Sequence, residues 1–133
     1  MPATKTTNKI RQTPPWQIVQ YDSQAPINSD VVEAASPCIF LDVIALNNGA
    51  ATLYVMVFDT TSVPANATIP LFQPVPVPAG TQVVFSLNDL TGGGTLVGMK
   101  TTNGLCWAAS TTVASLTVDA TSSLWATIRY LKG

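Results

Sequence analysis

The chain has 133 residues, 47% hydrophobic and only 10% charged, so it is sized for one domain and holds far less charge than the roughly 25% of an ordinary soluble domain. Six basic and seven acidic residues leave a formal charge of −1, and there is no histidine. That removes the commonest general base, the commonest metal ligand and every Ser-His or Cys-His nucleophile pair; a surface so poor in charge is expected to be covered in part by partners, as in an assembly component.

Residues 1–15 read as a basic, extended arm ahead of a single domain at 16–133. Lys5, Lys9 and Arg11 are half of the basic residues and precede the first acid, Asp22, whereas beyond them seven acids face three bases. MPATKTTNKIRQ lacks the apolar run of a signal peptide, and no stretch reaches the ~18 apolar residues of a membrane span. Three positive charges would give only a weak, salt-sensitive contact with nucleic acid. Lys5, Lys9, Arg11 and Trp16 are therefore candidate partner-binding residues for docking onto an acidic neighbouring subunit.

WQIVQY (16–21) is a strand candidate, and DSQAPINSD after it has loop composition. CIFLDVIAL (38–46) and ATLYVMVFD (51–59) flank Asn48-Gly49, the strongest short hairpin signal. Both strands are apolar on both faces, which predicts cover on two sides: the core on one, a second subunit or the folded-back arm on the other. Pro70, Pro74, Pro76 and Pro78 exclude a helix and suggest an edge strand or extended segment. TQVVFSL (81–87), a short strand after the glycine cluster, NGLCWAAS (103–110), LTV (116–118) and SLWATIRYL (123–131) complete about eight short strands. No window holds a helical period. Strands at this spacing, punctuated by Gly, Pro and Asn, predict an all-β, antiparallel β-sandwich of jelly-roll type with an extended N-terminal arm.

Few constellations carry chemistry. Gly93 to Thr101 reads GGTLVGMKT, one residue away from the phosphate-binding signature G-x-x-x-x-G-K-[ST], with Met99 between the second glycine and Lys100. A true site opens a helix whose N-terminal amides hold phosphate; here another turn follows, so the glycines read as two turns bracketing a short strand and Lys100 as a possible surface contact. Asp22, Asp89 and Asp119 sit in predicted turns, where aspartate usually bonds its own backbone, and Asp59, at the end of a strand in FDTTSVP, looks like the same case; Asp42, on the neighbouring strand inside an apolar run, faces a subunit or pairs with Arg129. Cys38 and Cys106 are too few for zinc without histidine. They form one disulfide or remain two buried thiols, and the thiols are favoured because nothing marks the chain as secreted. Trp107 and Trp125 are possible surface contacts, with core or interface packing the plainer role for the aromatics. No cofactor or metal site is expected.

The order ATLYVMVFDTTSVPANATIPLF, VPAGTQVVFSL, a glycine cluster, TNGLCWAASTT and a closing LWATIRY, over residues 50–131, resembles small β-sandwich proteins of tailed bacteriophages, found among head-decoration and tail-associated virion components. The resemblance implies a non-enzymatic virion protein, made in the host cytoplasm. It would be a capsid decoration or cement protein, acting as a homo-oligomer (a trimer) against the major capsid protein or other virion subunits. The alternative is a tail or fibre-tip module that binds host glycans through Trp107 or Trp125. A hydrolase on the same fold is disfavoured by the missing histidine.

Overall fold

The computed structural model describes residues 3–8, 17–87 and 98–132. They form ten strands and, among the described residues, no helix: β1 (Thr4–Asn8), β2 (Gln17–Asp22), β3 (Ser29–Glu33), β4 (Cys38–Asn47), β5 (Leu53–Phe58), β6 (Val75–Val77), β7 (Gln82–Ser86), β8 (Met99–Thr101), β9 (Leu105–Ser110) and β10 (Leu124–Lys132). One sheet runs β1-β2-β10-β4-β7, with β8 also on β4, and the other runs β3-β9-β5-β6. All pairs are antiparallel. Without β1 and β8 the layers are β2-β10-β4-β7 and β3-β9-β5-β6, the interleaved Greek keys of a jelly roll. The expected all-β antiparallel sandwich is what the chain forms.

Alternation explains the core. Val19 and Tyr21 of β2, Val43 and Ala45 of β4 and Ala126, Ile128 and Tyr130 of β10 point inward from one sheet; Val55 and Val57 of β5, Val77 of β6 and Leu105, Trp107 and Ala109 of β9 meet them from the other. A register shift between Arg129 and Tyr130, which pair with Asp42 and Phe40, inserts Leu41 as an extra residue in β4. This bulge is why that run does not alternate cleanly in the sequence.

The Asn48-Gly49 signal does not close a hairpin. β4 and β5 lie in different sheets, and the segment between them crosses from one layer to the other. Asn47, fully buried, fixes the crossing: its amide nitrogen donates to the carbonyls of Ala51 and Val77, both at 2.8 Å, and its Oδ1 accepts the Gly49 N–H. Separate sheets suit two strands that are apolar on both faces. The outer face of β5 is covered by the chain itself, in place of the second subunit or arm that the sequence suggested. Met56, Phe58, Cys106 and Ala108 form a second small core with Leu116, whose backbone is tied to the 65–68 loop by the Ala67 N–H on its carbonyl at 2.7 Å.

Three other expectations change. Ser29–Glu33, within and beyond the stretch read as loop, is β3. The run 116–118 is no strand, and only Val118 bridges to Ser110. Within the expected arm, Thr4–Asn8 is seated on β2 of the same chain as an edge strand. As expected, the proline run supplies an edge strand, β6, with Pro76 exposed within it.

Candidate interaction face

The described end of the near-match to a phosphate loop, residues 98–101, runs into strand β8. β7 pairs with residues 42–46 of β4 and β8 with residues 38–40, both antiparallel, so β8 continues the line of β7. Gly92–Gly94 and Asp89 lie outside the described residues. Gly98, the second glycine of the motif, is required by packing: a Cβ there would stand 2.4 Å from Ile39 Cγ2 and 2.5 Å from the Phe40 carbonyl. Lys100 and Thr101 are strand residues, and among the described residues no helix N-terminus lies beside them to bind phosphate.

After β8 the chain turns through residues 102–104, held by Asp59 from another loop. Its carboxylate accepts the N–H groups of Thr102 at 3.0 Å, Asn103 at 2.8 Å and Gly104 at 3.3 Å, so it braces a distant turn, contrary to the expectation that it bonds its own. Burial alone would raise the Asp59 carboxyl, but the three amides outweigh it and hold the group below its ordinary value. A depressed pKa stabilises the fold above the unfolded value near 4 and is lost as pH falls through the folded one. Asp59→Asn should therefore cost about 1.5 kcal/mol at pH 7, the scale of hydrogen bonds to a charged group. Urea titrations should show that difference shrinking toward pH 2; a constant difference would mean that charge plays no part.

The remaining described acids are also engaged. Asp119 accepts its own turn through Thr121 and Ser123, as turn aspartates should. Buried Asp42 takes Arg129 Nε at 2.9 and 3.1 Å, with a further bond from Nη2. The pairing raises the Arg129 pKa against the opposing effect of burial. Asp22 accepts the Thr127 hydroxyl at 2.7 Å. Buried Glu33 accepts the Tyr130 hydroxyl at 2.9 Å, with the ammonium groups of Lys5 and Lys132 at 3.4 and 3.5 Å. Asp30 accepts Tyr21 Oη–H at 2.7 Å beside an open cleft of about 460 Å³ that Lys5 also lines. Cys38 and Cys106 are free and buried. Burial, with Glu33 nearby, pushes the Cys38 thiol up to about 11, and burial raises Cys106. Both are thiols, not nucleophilic thiolates, at neutral pH.

The outer face of the six-stranded sheet is different in kind. Register aligns Asp22, Thr127, Ile44 and Val84 in one cross-strand row, with Trp125 opposite Leu46 in the next. Val84 is 60% exposed, Ile44 38% and Trp125 36%. The Arg129–Asp42 pair borders this apolar strip, and a hollow of about 260 Å³ beside Trp125 is lined by Asp22, Ser23, Gln24 and Thr127. Apolar side chains neighbouring one another on a sheet face, with a satisfied ion pair beside them, make a surface suited to contact.

Of the residues singled out in the sequence, Trp125 belongs to this face. Lys100 is exposed at the far end of the same sheet, opposite Ile39. Trp107 is not a surface contact: it is fully buried at the centre of β9, and its indole N–H donates to Tyr21 Oη at 3.1 Å. Lys5 faces Glu33 of its own chain, and Lys9, Arg11 and Trp16 lie outside the described residues. Ile44 and Val84 escaped the sequence reading because strand composition alone does not say which face is solvent. The available signal is the alternation Trp125, Thr127, Arg129 in β10, which marks the outer face once pairing is known. Compared with known proteins, the chain matches no family model, no curated protein and no solved structure.

Proposed function

We propose that the protein is a non-enzymatic structural subunit of a virion, a capsid decoration or cement protein that acts as a homo-oligomer and stabilises the head lattice by bridging neighbouring subunits. The apolar strip of Ile44, Val84 and Trp125, on the open face of a jelly-roll sheet in a charge-poor chain, carries this reading. Jelly rolls build viral capsid subunits as well as lectins, so the fold is compatible with the role by analogy and does not select it. The engaged carboxylates and protonated thiols fit a surface that acts by burial. Contact through such a strip loses little strength in salt, unlike docking by a charged patch.

The test is charge placed on the strip. Ile44→Lys with Val84→Lys alters two exposed positions and should leave fold stability within about 0.5 kcal/mol per site. Occupancy on purified particles of the virus that encodes the chain, read by quantitative gel and cryo-microscopy, should fall at least tenfold, equivalent to about 1.4 kcal/mol. Full occupancy by the doubly charged variant would end the reading, as would a chain that never associates with particles. One observation favours a second reading, host-glycan binding at a tail or fibre tip: Trp125 stands beside a hollow with Asp22, Gln24 and Thr127. Saccharide binding that disappears in Trp125→Ala would select it.

A further inference from the structure

We infer that β1 is an exchangeable strand, which in the assembled protein leaves its own β2 and pairs with β2 of a second copy. The described seat of β1 is mainly its backbone ladder. Its ladder runs from Thr4 opposite Asp22 to Asn8 opposite Ile18, while Thr4 and Lys5 are exposed. Ala3, just ahead of the strand, is a small, partly buried side chain packed against the core. Departure of β1 therefore uncovers little apolar area in the strand itself, and what holds it is a set of hydrogen bonds that any copy of TKTTN reproduces.

Among the described residues, the long-range side-chain link of β1 is dispensable to its partner. Lys5 approaches Glu33 at 3.4 Å, but Glu33 retains the Tyr130 hydroxyl at 2.9 Å and Lys132 at 3.5 Å when Lys5 is gone. A buried carboxylate that lost its only partner would resist the exchange strongly; this one does not. β2 itself cannot remain bare. Val19 and Tyr21 are core residues, so the strand stays in place, and an uncovered edge recruits another strand. The identical strand of a second copy restores every pair, so exchange trades equal contacts at low cost.

The connection is long enough to permit exchange. Eight residues, Lys9 to Trp16, separate β1 from β2, against the two to five typical of a hairpin. Pro14 and Pro15 are each limited to φ near −65°, and a residue before proline is biased to extended backbone, so the composition of this stretch disfavours a tight turn. Fully extended, eight residues span about 26 Å, enough to cross a subunit boundary. The inference deepens the homo-oligomer part of the proposed function and rests on that part alone, not on location in a virion.

Register supplies the test. Full-length chains carrying Thr4→Cys or Asp22→Cys are mixed, refolded together and oxidised, then compared with the Thr4→Cys/Asp22→Cys double variant and with wild type as the blank for the buried native thiols. The expected result is a covalent heterodimer of the two single variants, with the 4–22 linkage found by peptide mapping, and covalent multimers of the double variant. Closure of the double variant within one chain, without a mixed dimer, overturns the inference, as does absence of the 4–22 linkage in every sample. Light scattering on the same samples separates the two ideas: multimers with only intrachain links refute exchange and leave the oligomer standing, whereas monomers refute both. A second pair, Thr6→Cys with Gln20→Cys, reads the same register if the change at Asp22 disturbs its bond to Thr127.

Discussion

Trp107→Ala should lower the free energy of unfolding by about 4 kcal/mol, within the range for aromatic truncation in a closed core. Trp107 is fully buried between the sheets, so removing the indole leaves a cavity that two opposed sheets can close only by sliding. It also begins a polar relay: its Nε1–H donates to Tyr21 Oη, and Tyr21 donates to Asp30. The relay joins β9, β2 and β3 and so ties one sheet to the other. Trp107→Phe separates the two contributions. It keeps much of the volume and removes the donor, and because Tyr21 retains Asp30 the loss should be near 1 kcal/mol for the hydrogen bond plus a smaller packing term. Against a total of about 5–15 kcal/mol, the alanine change removes a large share of stability, and urea midpoints will read it directly. A loss under 1 kcal/mol for Trp107→Ala would mean that the sheets do not close over this side chain.

What the sequence makes legible here is local chemistry, and what it hides is which strand meets which. Proline spacing excludes helix at 70–78 because the physics is confined to the residue and its neighbours, and β6 appears there. Asp42 with Arg129 was expected because an acid inside an apolar run needs a cation. The Asn48-Gly49 turn misleads for the converse reason. Asn-Gly permits a two-residue hairpin but does not compel it, and Asn47 instead spends its side chain on Ala51, Val77 and Gly49 to hold a crossing. β3 was missed because SDVVE is acidic for a strand; Tyr21 and Tyr130 reach Asp30 and Glu33 from the opposite sheet, and Lys5 and Lys132 also approach Glu33. The interaction face was hidden by the same gap. Nothing in the sequence sets Ile44 and Val84 apart until pairing puts them in a row with Thr127 and Asp22 on the outer side.

Those two tyrosine–carboxylate pairs carry the second large effect, which should appear as alkaline unfolding. Burial, with acceptor carboxylates at Asp30 and Glu33, raises both Tyr21 and Tyr130 above the ordinary value of 10; the indole bond to Tyr21 opposes the shift but does not cancel it. A raised folded pKa makes the sign definite. Below pH 10 neither state ionises and the tyrosines contribute no pH dependence; above it the unfolded chain loses protons that the folded chain keeps, so stability falls by up to about 1.4 kcal/mol per pH unit for each group. Two tyrosines together remove roughly 3 kcal/mol by pH 11. Raised Cys38 and Cys106 start the decline earlier, from the ordinary thiol value near 9. Tyr130→Phe isolates one tyrosine. It should cost about 2 kcal/mol at pH 7, because Glu33 loses its closest hydrogen-bond donor, yet flatten the slope above pH 10 by about one proton. Urea titrations from pH 7 to 11.5 measure both quantities. A slope above pH 10 that is the same in Tyr130→Phe as in the parent would show that the hydroxyl ionises freely in the folded chain, and the pairing across the sheets would then have to be abandoned.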